Sequence, residues 1–190
     1  MKVGVIGCGN IADIYIYNAK NFFNNFEIIA CADLNPLASK NYSEKYDIKN
    51  LSVEELLSNE HIQLVINLTI PNAHYEVSKS ILNSGKHSYS EKPISIEIAQ
   101  GKELLDLAKS KNLYVGSAPD TFLGAGIQKS KQVIEDGTIG EIVLGSISMG
   151  VVGHEIWHPN PDFYYKYGGG PILDMGPYYF SALVNLLGPV

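Results

Sequence analysis

A strand that breaks into glycines, then a helix, then a second strand ending in an acid, leaves a chain few folds to choose from. Residues 1–33 have that order. Lys2-Val3-Gly4-Val5-Ile6 reads as a short buried strand and runs straight into Gly7-Cys8-Gly9-Asn10-Ile11-Ala12. A helical pattern follows over 11–22, and Phe26 to Ala32 is a continuous apolar run that stops at Asp33. These are the parts of a dinucleotide-binding βαβ unit, in sequence. Gly7 permits the tight turn, Gly9 lets the backbone approach a pyrophosphate, and small Ala12 lets the helix pack close to the sheet. The phosphates then meet free N–H groups of Asn10, Ile11 and their neighbours at a helix N-terminus, where the macrodipole is positive. Asp33 falls about twenty residues beyond the loop, where a carboxylate binds the ribose hydroxyls of NAD. A glycine turn beside a surface acid is the bland alternative.

Strand and helix patterns keep alternating after Asp33. Pro36 suits the first turn of a second helix to about Tyr46. Ser52-Val53-Glu54-Glu55 is a capping box before a short helix. Ile62 to Leu68 reads as a strand, a helix runs from about Asn72 to Gly85, and His87 to Ser90 is a brief strand. Ser95 is placed to cap the next helix, and Leu113 to Gly116 closes the series. The expected fold is α/β, a doubly wound parallel (Rossmann) sheet over 1–120 with its ligand crevice at the strand C-termini. Residues 121–190 then read as the start of an incomplete α+β domain. It comprises a connecting helix over 121–136, a half-exposed strand from Glu141 to Val152, an aromatic loop, and a last helix ending at Gly188-Pro189.

Composition narrows the classes further. The 190-residue chain carries a formal net charge of −6 and no basic cluster, which argues against nucleic-acid binding. No apolar run reaches the ~20 residues of a membrane span. Met1-Lys2 runs at once into strand residues without a signal-peptide layout, so a cytoplasmic protein is expected. Cys8 and Cys31 are too few for a disulfide framework and read as reduced core thiols, with a redox pair left open.

Four motifs in one order carry a resemblance over the whole chain: Gly7 to Ala12; Thr69-Ile70-Pro71-Asn72-Ala73-His74; Glu91-Lys92-Pro93; and Gly168-Gly169-Gly170 leading to Asp174-Met175-Gly176. Together they resemble the family of glucose–fructose oxidoreductase, inositol dehydrogenase and the rhizopine-catabolism oxidoreductases. The resemblance implies a pyridine-nucleotide oxidoreductase acting on a sugar or polyol. It makes Lys92 the acid/base, a role open to a lysine whose pKa is lowered by desolvation and a cationic ring. It makes Glu91 a partner of the nicotinamide end, and sets the loop of Thr69, Pro71, Asn72 and His74 against the cofactor's ribose and pyrophosphate. It also makes Asp174 a catalytic and substrate-contacting partner of Lys92. Relatives carry a histidine four positions later, whereas this chain has Tyr178, a hydrogen-bond donor and a poorer proton carrier at neutral pH.

The bland readings stay beside these: a solvated lysine before a turn proline, Asn72 as a helix cap, Asp174 stabilising a helix start, Tyr178 packed in a core. Trp157, His158 and Tyr165, in a loop of flat aromatics and polar groups, suit the apolar faces and hydroxyl edges of a sugar, or equally pack between domains. No metal is expected, because hydride transfer needs none. Asp33 is followed by Leu34-Asn35 without an adjacent arginine and would repel a 2′-phosphate, so NAD is favoured over NADP. Homo-oligomerisation is left open. Two other classes compete. One is a nucleotide-binding protein without turnover, a redox sensor or inactive remnant; the other is an interaction module that binds no nucleotide.

Overall fold

The computed structural model describes residues 1–156 and 161–189 and divides the chain into two compact units, Met1–Ala118 and Pro119–Val190. In the first unit, β1 (Lys2–Ile6), β2 (Glu27–Ala32), β3 (Lys49–Asn50), β4 (Leu64–Asn67), β5 (His87–Ser90) and β6 (Val115–Ser117) form one parallel sheet in the order β3-β2-β1-β4-β5-β6. The helices between them are α1 (Ala12–Phe22), α2 (Pro36–Tyr46), α3 (Val53–Ser58), α4 (Pro71–Asn83) and α5 (Ile98–Ser110). The order reverses between β1 and β4, and a crevice at such a switch point is where open α/β sheets take their ligands.

Alternation along the strands builds a core on each face of the sheet. Val3, Val5 and Ile66 pack with Ile16 of α1 and Tyr46 of α2. Ile6 and Val65 pack with Leu56 of α3 and Ile81 of α4. In β2 the alternation slips: the register against β1 shifts between Val3 and Gly4, so that Val3 opposes Ile28 but Gly4 opposes Ala30. The extra residue carries Cys31 into the cluster that holds Cys8. Beyond it, the end of β2 meets the glycine loop, where the Ala32 carbonyl accepts the Gly7 N–H.

Local chemistry fixes the helix starts. Asn35 accepts a hydrogen bond from Leu37 N–H with Pro36 just inside α2. Ser52 and Glu55 close the expected capping box of α3 reciprocally. At α5 the expectation is corrected. The Ser95 hydroxyl donates to the Glu97 carbonyl, residue 97 is still extended, and Glu97 is the cap, its N–H bound by Gln100. Asn72 likewise is not a cap; it lies in the first turn of α4, behind Ile70 and Pro71.

The second unit contains a 3-10 turn (Thr121–Leu123), α6 (Ala125–Glu135), two more 3-10 turns (His154–Ile156 and Pro161–Tyr165), α7 (Pro171–Asp174) and α8 (Gly176–Leu187). The strand expected over 141–152 is not formed. Strands exist by pairing, and among the described residues no neighbouring strand lies alongside this segment, whose Val143 and Leu144 are 92% and 84% exposed.

Candidate functional site

The glycine loop is shaped by what surrounds it. Gly7 sits at φ +101°, and its N–H donates to the Ala32 carbonyl at 2.9 Å. A Cβ there would lie 2.5 Å from the Leu68 carbonyl carbon, inside the backbone of the segment that follows β4. A Cβ on Gly9 would meet nothing within 4 Å. The protein therefore requires glycine at position 7 for its own packing, whereas the space over Gly9 is left open. Asn10 and Ile11 are exposed at the entry to α1, with Ile11 immediately before its first residue.

Asp33 is held beside this loop. One carboxylate oxygen accepts the Cys8 N–H at 2.6 Å and the other accepts the Asn35 N–H at 2.7 Å. The Tyr42 hydroxyl donates to the Gly9 carbonyl at 2.9 Å. Cys8 itself is buried, and contact with Cys31 followed by burial pushes its thiol pKa far up, so that it stays a neutral thiol.

The segment after β4 is organised by a residue that sequence reading passed over. Asn67, wholly buried at the end of β4, accepts from both the N–H and the hydroxyl of Thr69. Its amide nitrogen donates to the His74 carbonyl and the Ser78 hydroxyl. The available signal was an amide at the end of an otherwise apolar run, since a buried amide is retained when its hydrogen bonds are satisfied.

His74, expected as a cofactor contact, is used by the fold. It is 1% exposed, with Nδ1 2.6 Å from the Pro93 carbonyl and Nε2 2.9 Å from the Thr69 carbonyl. The ring is spent on backbone and clamps two loops at the C-terminal edge of the sheet to each other. Pro71 opens α4 beside it.

Glu91 and Lys92 follow β5 at that same edge. Glu91 takes the Tyr15 hydroxyl on Oε1 at 2.7 Å and the Lys92 N–H on Oε2 at 3.0 Å. The Lys92–Pro93 peptide bond is cis. The first unit thus brings Gly7, Gly9, Asp33, Thr69, Glu91 and Lys92 to the ends of neighbouring strands.

In the second unit, Asp174 ends α7 and Tyr178 lies in α8, with Met175 between the two helices, so the pair does not share a helix at i, i+4 spacing. Asp174 meets a histidine from elsewhere: His154 Nε2 lies 3.5 Å from its carboxylate. The buried His154 ring stacks on Tyr164 with centroids 3.9 Å apart. Burial, with the Asp174 charge behind it, pushes the Tyr164 phenol above its ordinary pKa. The Tyr165 hydroxyl donates to Glu155 and holds that carboxyl below its usual range. Trp157 and His158, expected as substrate contacts, lie outside the described residues.

Known proteins agree with this architecture. Residues 1–118 match the model of the oxidoreductase family with an NAD-binding Rossmann fold, and 127–190 match the GFO/IDH/MocA C-terminal domain. The chain belongs to this family of NAD-binding oxidoreductases.

An uncharacterized oxidoreductase of Schizosaccharomyces pombe is 31% identical over 99% of this chain and 52% of its own length. The myo-inositol 2-dehydrogenase of Thermotoga maritima is 25% identical over 99% and 55%. Among solved structures, the WlbA dehydrogenase of Bordetella pertussis, in complex with NADH and UDP-GlcNAcA, superposes with a TM-score of 0.85. It is 20% identical and is matched by all of this chain over 56% of its own. Biliverdin reductase of Synechocystis, in complex with biliverdin and NADP+, gives 0.75 at 21% identity, over 100% and 58%. The chain spans about half the length of the curated relatives it matches. No helix among the described residues is long and apolar enough to cross a membrane.

Proposed function

We propose that this protein is an NAD-dependent oxidoreductase that moves a hydride between the nicotinamide and a sugar or polyol hydroxyl or carbonyl. The observation that carries the reading is Asp33: a carboxylate pinned to the N–H of Cys8, beside a glycine whose Cβ space is open. That donor and acceptor set fits a dinucleotide. The N–H groups that open α1 face the pyrophosphate, Asp33 keeps lone pairs for ribose hydroxyls, and its charge disfavours a 2′-phosphate. Leu34 next to it is 94% exposed and supplies no cation.

The dinucleotide supplies the hydride acceptor or donor. Lys92, beside Glu91 at the strand edge, takes the proton from the substrate hydroxyl in oxidation and returns it in reduction. Thr69, Pro71 and Asn72 line the ribose and pyrophosphate side, and Glu91 binds the nicotinamide end. Asp174 supports the proton transfer, and Tyr178 orients a substrate oxygen as a neutral donor. Trp157, His158 and Tyr165 belong to the substrate side of this reading. The relatives that support the substrate class include one named for myo-inositol and one whose structure holds UDP-GlcNAcA.

The test is a titration with NADH and NADPH followed by nicotinamide fluorescence, with Asp33→Ala as control and a polyol panel headed by myo-inositol. NADH is expected to bind more tightly than NADPH and to weaken about tenfold or more in Asp33→Ala. Turnover is expected to vanish in Lys92→Ala while NADH binding persists. Binding of neither nucleotide by the folded protein would sink the assignment. A second reading, nucleotide binding without turnover, is favoured by Tyr178 at the position where the family resemblance implies a histidine. It predicts NADH binding with no polyol oxidised.

A further inference from the structure

We propose that Tyr15 is a positioning residue for the nicotinamide end of the cofactor, acting through Glu91. The inference rests on the nucleotide reading above and adds a residue that reading does not use.

Tyr15 stands in the first turn of α1, the helix whose N-terminus adjoins the glycine loop. Its ring packs against the core beneath α1, and its hydroxyl reaches the Glu91 carboxylate at 2.7 Å, joining residues 76 apart in sequence. In the sheet order β1-β4-β5, that link passes from the helix after β1 to the loop after β5, over the end of β4.

The Glu91 carboxylate is therefore fixed at both oxygens, by the phenol on one and by the Lys92 N–H on the other. A carboxylate held by one donor rotates; one held by two from different elements does not. Each oxygen keeps a second lone pair for a ligand donor, and the chemistry it fits is a neutral N–H or O–H group, such as a carboxamide nitrogen or a ribose hydroxyl. A half-buried carboxylate with a fixed orientation binds such a donor without an ordering cost on association. The same α1 thus serves both ends of the ligand: its N-terminus faces the pyrophosphate, and Tyr15 sets the carboxylate that meets the far end.

Tyr15→Phe removes only the hydroxyl and keeps the packed ring. The experiment titrates wild type, Tyr15→Phe, Glu91→Ala and the double variant with NADH and with ADP-ribose, which lacks the nicotinamide. Tyr15→Phe is expected to weaken NADH roughly five- to tenfold, the span of one hydrogen bond to a charged group acting indirectly, and to leave ADP-ribose within about twofold. Adding Tyr15→Phe to Glu91→Ala is expected to cost nothing more, the sign of two residues acting as one. Unchanged NADH binding in Tyr15→Phe, equal loss of both ligands, or losses that multiply in the double variant each overturn the proposal while leaving the nucleotide site standing. Wild-type protein that binds neither ligand overturns that site and this role together.

Discussion

Two glycines two residues apart separate the requirements of the fold from those of the ligand. At Gly7 the positive φ and the Leu68 backbone at 2.5 Å exclude any side chain, whatever binds nearby. Gly7→Ala is expected to destabilise the protein by more than about 2 kcal/mol, since strain at such a φ and a clash with immovable backbone add. At Gly9 a Cβ enters open space. Gly9→Ala is expected to shift stability by no more than about 0.5 kcal/mol. It is expected to weaken NADH about tenfold or more by filling the approach to the pyrophosphate. Denaturant unfolding and NADH titration of both variants make the comparison. Equal effects of the two substitutions on stability would contradict it. His74 makes the same distinction at a different place: it lies within the loop proposed to face the cofactor, yet its ring holds the Thr69 and Pro93 carbonyls and is almost wholly buried.

The elements themselves are tied by single buried groups, of which Lys86 is the clearest. It follows α4, is 5% exposed, and its ammonium donates to the carbonyls of Asn59 and Ile62 in the turns between α3 and β4. Burial lowers its pKa from the ordinary 10.5, with Glu60 opposing the shift. A lysine depressed in the folded state costs stability while it is charged. That cost is present below the folded pKa and is relieved as pH rises toward the unfolded value, because the unfolded chain then binds more protons. Lys86→Met leaves both carbonyls without their donor, and a loss of about 1–3 kcal/mol at pH 7 is expected. The gap should widen toward pH 10, since only the wild type gains there; urea titrations at pH 7, 9 and 10 read it.

Much of this level was legible in the sequence. The β1–α1–β2 unit, Asp33 and the capping box of α3 follow from hydrophobic period and cap chemistry, which act over a few residues. Three features were not legible. β3 is two residues long, too short to show a period. The shift in β2 that brings Cys31 beside Cys8 is a property of pairing, not of the run FEIIACA. The Tyr15–Glu91 and His154–Asp174 contacts join segments with no local relation.

At the scale of the molecule, the two units differ in how much each can sustain alone. Among the described residues, all six strands, the three buried clusters and every residue assigned to the nucleotide lie within Met1–Ala118. In Pro119–Val190 the described residues bury few side chains, His154 and Ala182 among them, and Val143 and Leu144 stand almost fully exposed. Hydrophobic stabilisation scales with apolar area removed from water, so the first unit has the means to fold independently and the second has little. Residues 1–118 expressed alone are expected to unfold cooperatively and to bind NADH within about threefold of the full chain. The same fragment is expected to oxidise no polyol, because it lacks Asp174 and Tyr178, which are proposed to support the chemistry. Circular dichroism melts and nicotinamide fluorescence test this directly. A fragment that fails to fold would show that the sheet leans on residues beyond 118. A fragment that folds but loses NADH would show that the second unit contributes to the nucleotide site itself, and would move the division of labour between binding and chemistry away from the boundary at Ala118.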